Sequence, residues 1–232
     1  MKKYILIFAI SLIAIKGLCQ SIEPHISIGY GQYNMDNIKA IQAEMYIPYG
    51  LPMQTTSSFP GYLNFEGGIN YLIKEGRYKF GVLMGYQSTS GRLSIEDYSG
   101  VVAFDQLLSA INYSGLLSTR FLQKKGFNFY LTLKPGFIVT KYEEKREYPE
   151  YASRLNKSRL YNGNSFILDS NIEIVKVFKH FNLFAQCGYA YDSKTSLTTN
   201  NTDFWTVFEE DKEADWSGLR VKCGVSFNIQ RQ

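Results

Sequence analysis

The sequence predicts an all-β fold, an eight-stranded antiparallel up-and-down transmembrane β-barrel. Three observations carry that expectation. Segments of about ten residues alternate apolar with polar or small side chains. Short turns and long polar stretches separate them in strict alternation. Aromatic residues, 16% of the chain, gather near the ends of the apolar faces.

The chain opens MKKYILIFAISLIAIKGLCQ. Lys2 and Lys3 precede an apolar run from Tyr4 to Ile15, too short to cross a bilayer as a helix. Gly17 and Cys19 supply the small residues of a cleavage site, so residues 1–19 read as a secretory signal peptide and 20–232 as the barrel domain. Subtracting the three lysines of 1–19 from 25 basic residues leaves 22 against 21 acidic ones, a net charge near +1. A mature chain this close to neutrality offers no electrostatic case for a nucleic-acid partner.

Strands are expected over 25–34, 61–73, 78–92, 107–122, 127–142, 165–178, 181–193 and 216–229. Lys74–Arg77, Gln123–Gly126 and Lys179–His180 are the short turns. Residues 35–60, 94–105, 146–163 and 195–215 are the long loops. The segment GYLNFEGGINYLI poses the decisive question, because Leu63, Phe65, Ile69 and Tyr71 fall on one face and Asn64, Glu66 and Asn70 on the other. Alternation alone does not choose which face is inside. The apolar set of eight strands would overfill the narrow interior of an eight-stranded barrel, whereas the Gly- and Ser-rich polar set suits it. Tyr71, Tyr78, Phe121, Phe127, Phe181 and Phe227 form one belt of rings near the short turns. Tyr30, Tyr62, Tyr86, Phe166, Tyr191 and Trp216 form a second near the long loops. The apolar face is therefore expected outward, against lipid. A secreted β-sandwich, with these residues as its core, is the alternative.

On this pattern, together with the leader and the last strand WSGLRVKCGVSFNIQ, the whole mature chain resembles the small eight-stranded outer-membrane β-barrel proteins of Gram-negative bacteria, the OmpA/OmpX-like and porin-family barrels. The resemblance implies residence in the cell outer membrane, contact with outer-membrane lipid and lipopolysaccharide, a monomer, and no cofactor. The chain departs from the aromatic terminus common in that group, ending on Asn228–Gln232 after Phe227. Pro135, within strand five, is expected to produce a bulge or bend.

The inward set holds Glu66, Asp169 and Glu173 with Lys79, Arg120, Lys134, Arg220 and Lys222. Charges in a narrow lumen are expected to pair, Glu66 with a base from a neighbouring strand. Five bases against three acids would bias any leak toward anions. His25 and His180 are the only histidines, both expected at the short-turn end with no Ser and acid beside them, so no catalytic or metal-binding residue is expected and the chain is not read as an enzyme. Cys187 and Cys223 face outward on adjacent strands, and a hairpin centred near residue 205 would set them opposite one another. Such a pair could form a disulfide in an oxidising compartment or remain as two thiols in lipid.

The long loops carry Tyr46, Tyr49, Phe59, Phe204, Trp205 and Phe208, candidate contacts to a protein or glycan. The expected function is a closed-lumen outer-membrane barrel whose four loops serve structural, adhesive or binding roles. The alternatives are a barrel subunit of a secretion or surface-assembly machine, a lipid-modifying enzyme, a narrow anion channel and the secreted β-sandwich.

Overall fold

The computed structural model describes residues 21–44, 54–97, 100–147, 157–199 and 211–230. The expected signal peptide and the loop aromatics Tyr46, Tyr49, Phe204, Trp205 and Phe208 lie outside the described residues.

Eight strands build a closed wall. They are β1 (Ser21–Gly31), β3 (Tyr62–Ile73), β4 (Tyr78–Asp97), β5 (Gly100–Lys124), β6 (Phe127–Glu147), β7 (Lys157–Val177), β8 (Phe181–Asp192) and β11 (Gly218–Phe227). Each is antiparallel to the next, and β11 closes onto β1 from His25 opposite Ser226 to Gly31 opposite Arg220. Short pieces complete it: helix α1 (Asp36–Glu44), β2 (Gln54–Ser58) along β4, the paired β9 (Thr195–Ser196) and β10 (Glu213–Ala214), and β12 (Ile229–Gln230) along β1. No described helix is long and apolar enough to cross a membrane.

The short turns follow from local chemistry. Lys125 and Gly126 both have positive φ (49° and 76°), the two-residue geometry whose twist matches flanking strands. Lys74, Glu75 and Gly76 share that left-handed region, and glycine tolerates it best. The opposite end departs from the expected loops. Residues 94–105 belong almost entirely to a continuous hairpin in which β4 pairs with β5 up to Asp97 opposite Gly100.

Outward side chains are apolar over one band. On β6 they run Phe127, Phe129, Leu131, Leu133, Pro135, Phe137, Val139, then change to Lys141, Glu143 and Lys145. On β7 the band runs from Phe166 to Ile174, nine residues, which matches the 9–11 of a tilted strand spanning a bilayer. Phe80, Val82, Phe137 and Ile172 all stand exposed on this surface. β4 to β7 then continue beyond the band, and there the faces exchange roles. Inside that crown lies an apolar core of Tyr33, Met35, Ile38, Phe59, Leu108, Ile138, Tyr142, Tyr161, Leu197 and Trp216 among others, covered by α1 and the β9–β10 pair.

Three expectations need correction. Trp216 is fully buried rather than in the outer belt. It shares the parity of Arg220, so alternation sends it inward, where Nε1 donates to Thr140 Oγ1 at 2.9 Å. Pro135 makes no bulge: pairing with β5 is interrupted between Ser114 and Leu117 but resumes in the same register, while β7 pairs through Pro135 unbroken. The register shift falls instead between Arg120 and Leu122. Phe59 is 2% exposed, packed against the upper part of β4 with its N–H donating to the Ser90 carbonyl, and offers no surface to a partner.

Candidate functional site: the charged lumen

Alternation on each strand sends the polar set into the lumen, and the stagger of the barrel decides which charges meet. Nearest the short turns, Lys79 Nζ on β4 donates to Glu173 Oε1 on β7 at 2.9 Å and lies 3.3 Å from Glu23 Oε2 on β1. Glu23 Oε1 accepts from Ser226 Oγ and Asn182 Nδ2, each at 2.6 Å. The Lys79 ammonium also sits 4.2 Å from the centre of the Tyr130 ring, a favourable cation–π contact.

The next layer centres on Glu66. Its Oε1 accepts from Lys134 Nζ at 2.6 Å and its Oε2 from Lys222 Nζ at 2.7 Å. Those partners come from β6 and β11, across the lumen, rather than from the adjoining strands β1 and β4. A lysine stem is long enough to cross so narrow an interior. Asp169 Oδ2 lies 3.7 Å from Lys222 Nζ. Gln186 links the two layers, accepting from Lys134 at 2.8 Å and donating to Glu173 Oε2 at 2.6 Å. Above them, Arg220 donates to Gln87 Oε1 and, at 2.7 Å, to the Trp216 carbonyl, with its guanidinium over the Tyr33 ring. Side chains from β1, β3, β4, β6, β7, β8 and β11 thus meet across the interior. All these charged groups are buried.

Arg120 is not among them. It is half-buried at the short-turn mouth of the lumen, opposite the inward Tyr130 and lining the same recess as Glu23 and Lys79, with Nη1 donating to the Glu75 carbonyl at 3.4 Å. Glu23 joins the lumen set, an acid the expected start of strand one at residue 25 left out. The lumen set then holds Glu23, Glu66, Asp169 and Glu173 against Lys79, Lys134, Arg220 and Lys222. These buried charges balance four against four, and with Arg120 at the mouth the expected excess of two positive charges narrows to one.

His25 points inward, its Nδ1 3.3 Å from Asn70 Nδ2 and its ring edge-on to Phe184. Among the described residues no cluster of three or more His, Cys, Asp or Glu could hold a metal ion. Cys187 and Cys223 are exposed on the outer face and unbonded. The register sets Cys187 opposite Val221 and Cys223 opposite Ala185. The thiols are therefore diagonal neighbours, about 7–8 Å apart at Cα, beyond disulfide reach.

A second buried cluster lies in the crown, unanticipated from sequence. Lys212 pairs with Glu144 Oε1 and donates to Tyr161 Oη at 3.1 Å, while Tyr142 Oη donates to the same Glu144 oxygen at 2.8 Å. Burial, and then the Glu144 carboxylate, push the Tyr142 hydroxyl well above its ordinary pKa, so it stays protonated as a donor. With the Leu197 N–H donating to the Lys212 carbonyl and the Glu213 N–H to Asn37 Oδ1, this cluster fastens the β9–β10 pair and α1 over the mouth.

No family model and no curated protein matches the sequence. Solved structures do. The outer membrane protein OprG from Pseudomonas aeruginosa aligns over 92% of this chain and 98% of its own, with a TM-score of 0.53 at 9% identity. The chain has the fold of an outer-membrane β-barrel. A major outer membrane protein from Thermus thermophilus aligns over 90% of this chain and 99% of its own, with a TM-score of 0.51 at 9% identity. In that fold the exposed apolar band is the face turned to lipid, and the charged lumen is the interior. The short turns close one end of the barrel, and the crown stands at the other.

Proposed function

We propose that this barrel is a closed-lumen, monomeric outer-membrane anchor that displays a binding wall to the outside. Residues 1–19 act as its export signal and lipopolysaccharide surrounds its outer belt. The observation that carries the reading is the crown. β4 to β7 rise above the lipid band as a four-stranded wall stiffened from inside by an apolar core and the Lys212–Glu144 pair. Its outward face mixes Arg92, Asp105, Lys141, Glu143 and Lys145 with the exposed Leu107 and Leu160, chemistry suited to a protein or glycan partner. The plugged lumen beneath supports a role other than transport, since Glu66, Lys134, Lys222 and Gln186 interlock across it.

The test is cross-linking on intact cells followed by purification of the barrel. A partner captured by the native chain and lost from a Leu107→Ser/Leu160→Ser variant of equal abundance is the expected result. Steady single-channel conductance in planar bilayers, or altered lipid A masses on deletion, would replace this reading with a channel or a lipid-modifying enzyme. Capture through periplasmic-turn residues alone would favour a subunit of a surface-assembly machine.

A further inference from the structure

The outer rim that carries the short turns is strongly basic. Lys74 and Arg77 at the β3–β4 turn, Lys124 and Lys125 at the β5–β6 turn and Lys179 at the β7–β8 turn are exposed, and Lys176 is half-buried near the end of β7. Against these six cations the same turns carry one acid, Glu75. The three turns join six of the eight wall strands, so the charge forms an arc around most of the rim. At the other edge of the apolar band the outward charges pair instead, Arg92 with Asp105 at 3.5 Å and Lys145 with Glu143 at 3.4 Å.

The depth of these cations is set by rings beside them. Outward positions on β7 run Ile172, Ile174 and then Lys176, the first charge past the apolar band. The Lys176 ammonium lies 4.3 Å from the centre of the Phe127 ring, next to the Lys125–Gly126 turn. Lys74 Nζ and Arg77 Cζ each lie 5.7 Å from the centre of the Tyr78 ring. Phe178 and Phe181, stacked at 4.8 Å, flank the turn that holds Lys179. Aromatic rings settle where acyl chains meet headgroups. Basic side chains there lay their stems along apolar surface and place the charge among the phosphates.

We propose that this rim binds the anionic phospholipid headgroups of the leaflet that holds the short turns. The turns are too short to carry their charge far from the membrane, and the cations rest against the aromatic edge of the lipid-facing band. A lipid phosphate therefore fits them better than a soluble polymer does. The binding holds whichever way the crown faces, and it stands apart from the outward wall of the crown.

The test uses the mature barrel in bilayer discs containing equal amounts of phosphatidylglycerol and phosphatidylethanolamine. The barrel is released into a mass spectrometer and its retained lipids are counted. Retention of phosphatidylglycerol over phosphatidylethanolamine is the expected result. Raising salt from about 0.1 M to 1 M, which shortens the screening length from about 10 Å to 3 Å, is expected to erase the preference. A Lys74→Gln/Lys125→Gln/Lys176→Gln/Lys179→Gln variant, folded by its unboiled gel mobility, is expected to lose it by about tenfold or more, since each cation near an anionic surface contributes about fivefold. An Arg92→Gln/Lys141→Gln/Lys145→Gln variant is expected to keep it. Equal retention of the two lipids by the native chain overturns the proposal, as does a preference that survives in the rim variant or is lost from the crown variant. Binding to isolated cell-wall sacculi that the rim variant loses, without a lipid preference in the native chain, would assign the rim to a soluble anionic polymer and overturn it too.

Discussion

Replacing Glu66 by Gln isolates the energetic role of the lumen network. The side chain is buried and bonded to Lys134 at 2.6 Å and Lys222 at 2.7 Å. Glutamine keeps the shape, but its NH2 end meets an ammonium, donor against donor. Lys134 and Lys222 would then lose the acid they both contact, leaving Lys222 its 3.7 Å contact with Asp169. Removing one member of a buried pair costs about 3–5 kcal/mol, because the charge left behind is uncompensated. That corresponds to a loss of roughly two to four orders of magnitude in the folding equilibrium, at about 1.4 kcal/mol per factor of ten. The assay is urea unfolding in lipid vesicles, followed by tryptophan fluorescence and by the gel shift between boiled and unboiled protein. Asp105→Asn is the control, since it breaks the 3.5 Å pair with a half-exposed Arg92 and is expected to cost under about 1 kcal/mol. Adding Lys222→Met to Glu66→Gln removes one surplus cation and is expected to recover most of the loss. A Glu66→Gln cost no larger than that of the control would refute the network as a source of stability.

Three further outcomes test the assignment of faces, and a fourth tests the crown. With Trp205 replaced by Phe, Trp216 is the sole fluorophore, and brominated acyl chains are expected to leave its emission unchanged; quenching would return it to the lipid belt. Trp216→Ala is expected to cost about 3–5 kcal/mol in the same unfolding assay, as a large aromatic lost from a packed core. Alkylation of unfolded, unreduced protein is expected to label both Cys187 and Cys223, whereas a Val221→Cys/Cys223→Val variant, which sets the thiols directly opposite, is expected to label neither. Lys212→Met strands Glu144 among Tyr142 and Tyr161 and is expected to cost about 3–5 kcal/mol, against about 0.5 or less for Lys194→Met, whose 3.9 Å pair with Glu213 is exposed.

The membrane part of the fold was legible because lipid outside and a polar lumen inside give the strongest possible contrast between alternate positions. Phe127 to Val139 on β6 shows it in every pair. The crown was not legible for the opposite reason. On β5, Phe104, Gln106 and Leu108 point inward while Asp105 and Leu107 point outward, so neither face has a uniform polarity and the stretch resembles a loop. Helix α1 is nine residues long with Ile38 and Ile41 as its buried apolar anchors, too little periodicity to stand out from its surroundings. Among the candidate site residues, the inward direction of Glu66, Lys79, Lys134, Asp169, Glu173, Arg220 and Lys222 follows from parity. Glu23 has the same parity as Ser27, and Pro24 beside it concealed that the strand began earlier. Arg120 keeps the inward parity of Ser118 but lies so near the short turn that it reaches the mouth rather than the charged layers. Which charges meet could not be read at all, because cross-lumen partners depend on the barrel's stagger, a property of the closed sheet rather than of any one strand.

That stagger gives the lumen charges a second role, in specificity. A one-residue slip in pairing exchanges the two faces of a strand. For β11 it would carry Arg220 and Lys222 into lipid, for β6 Lys134 and for β4 Lys79. Each Lys or Arg turned to the bilayer midplane costs about 2–4 kcal/mol. The four together amount to on the order of 10 kcal/mol, comparable with the whole stability of a typical domain. An apolar lumen of the same volume would pack as well, yet it would leave both faces acceptable to lipid and the register undetermined. Glycine reinforces the choice: a Cβ at Gly188 would collide with the Ser170 backbone oxygen, so inward positions beside the long charged chains must stay small. The ion network therefore does more than plug the barrel. It makes the observed register the one arrangement in which every lumen cation has an acid within reach or a partner across the interior.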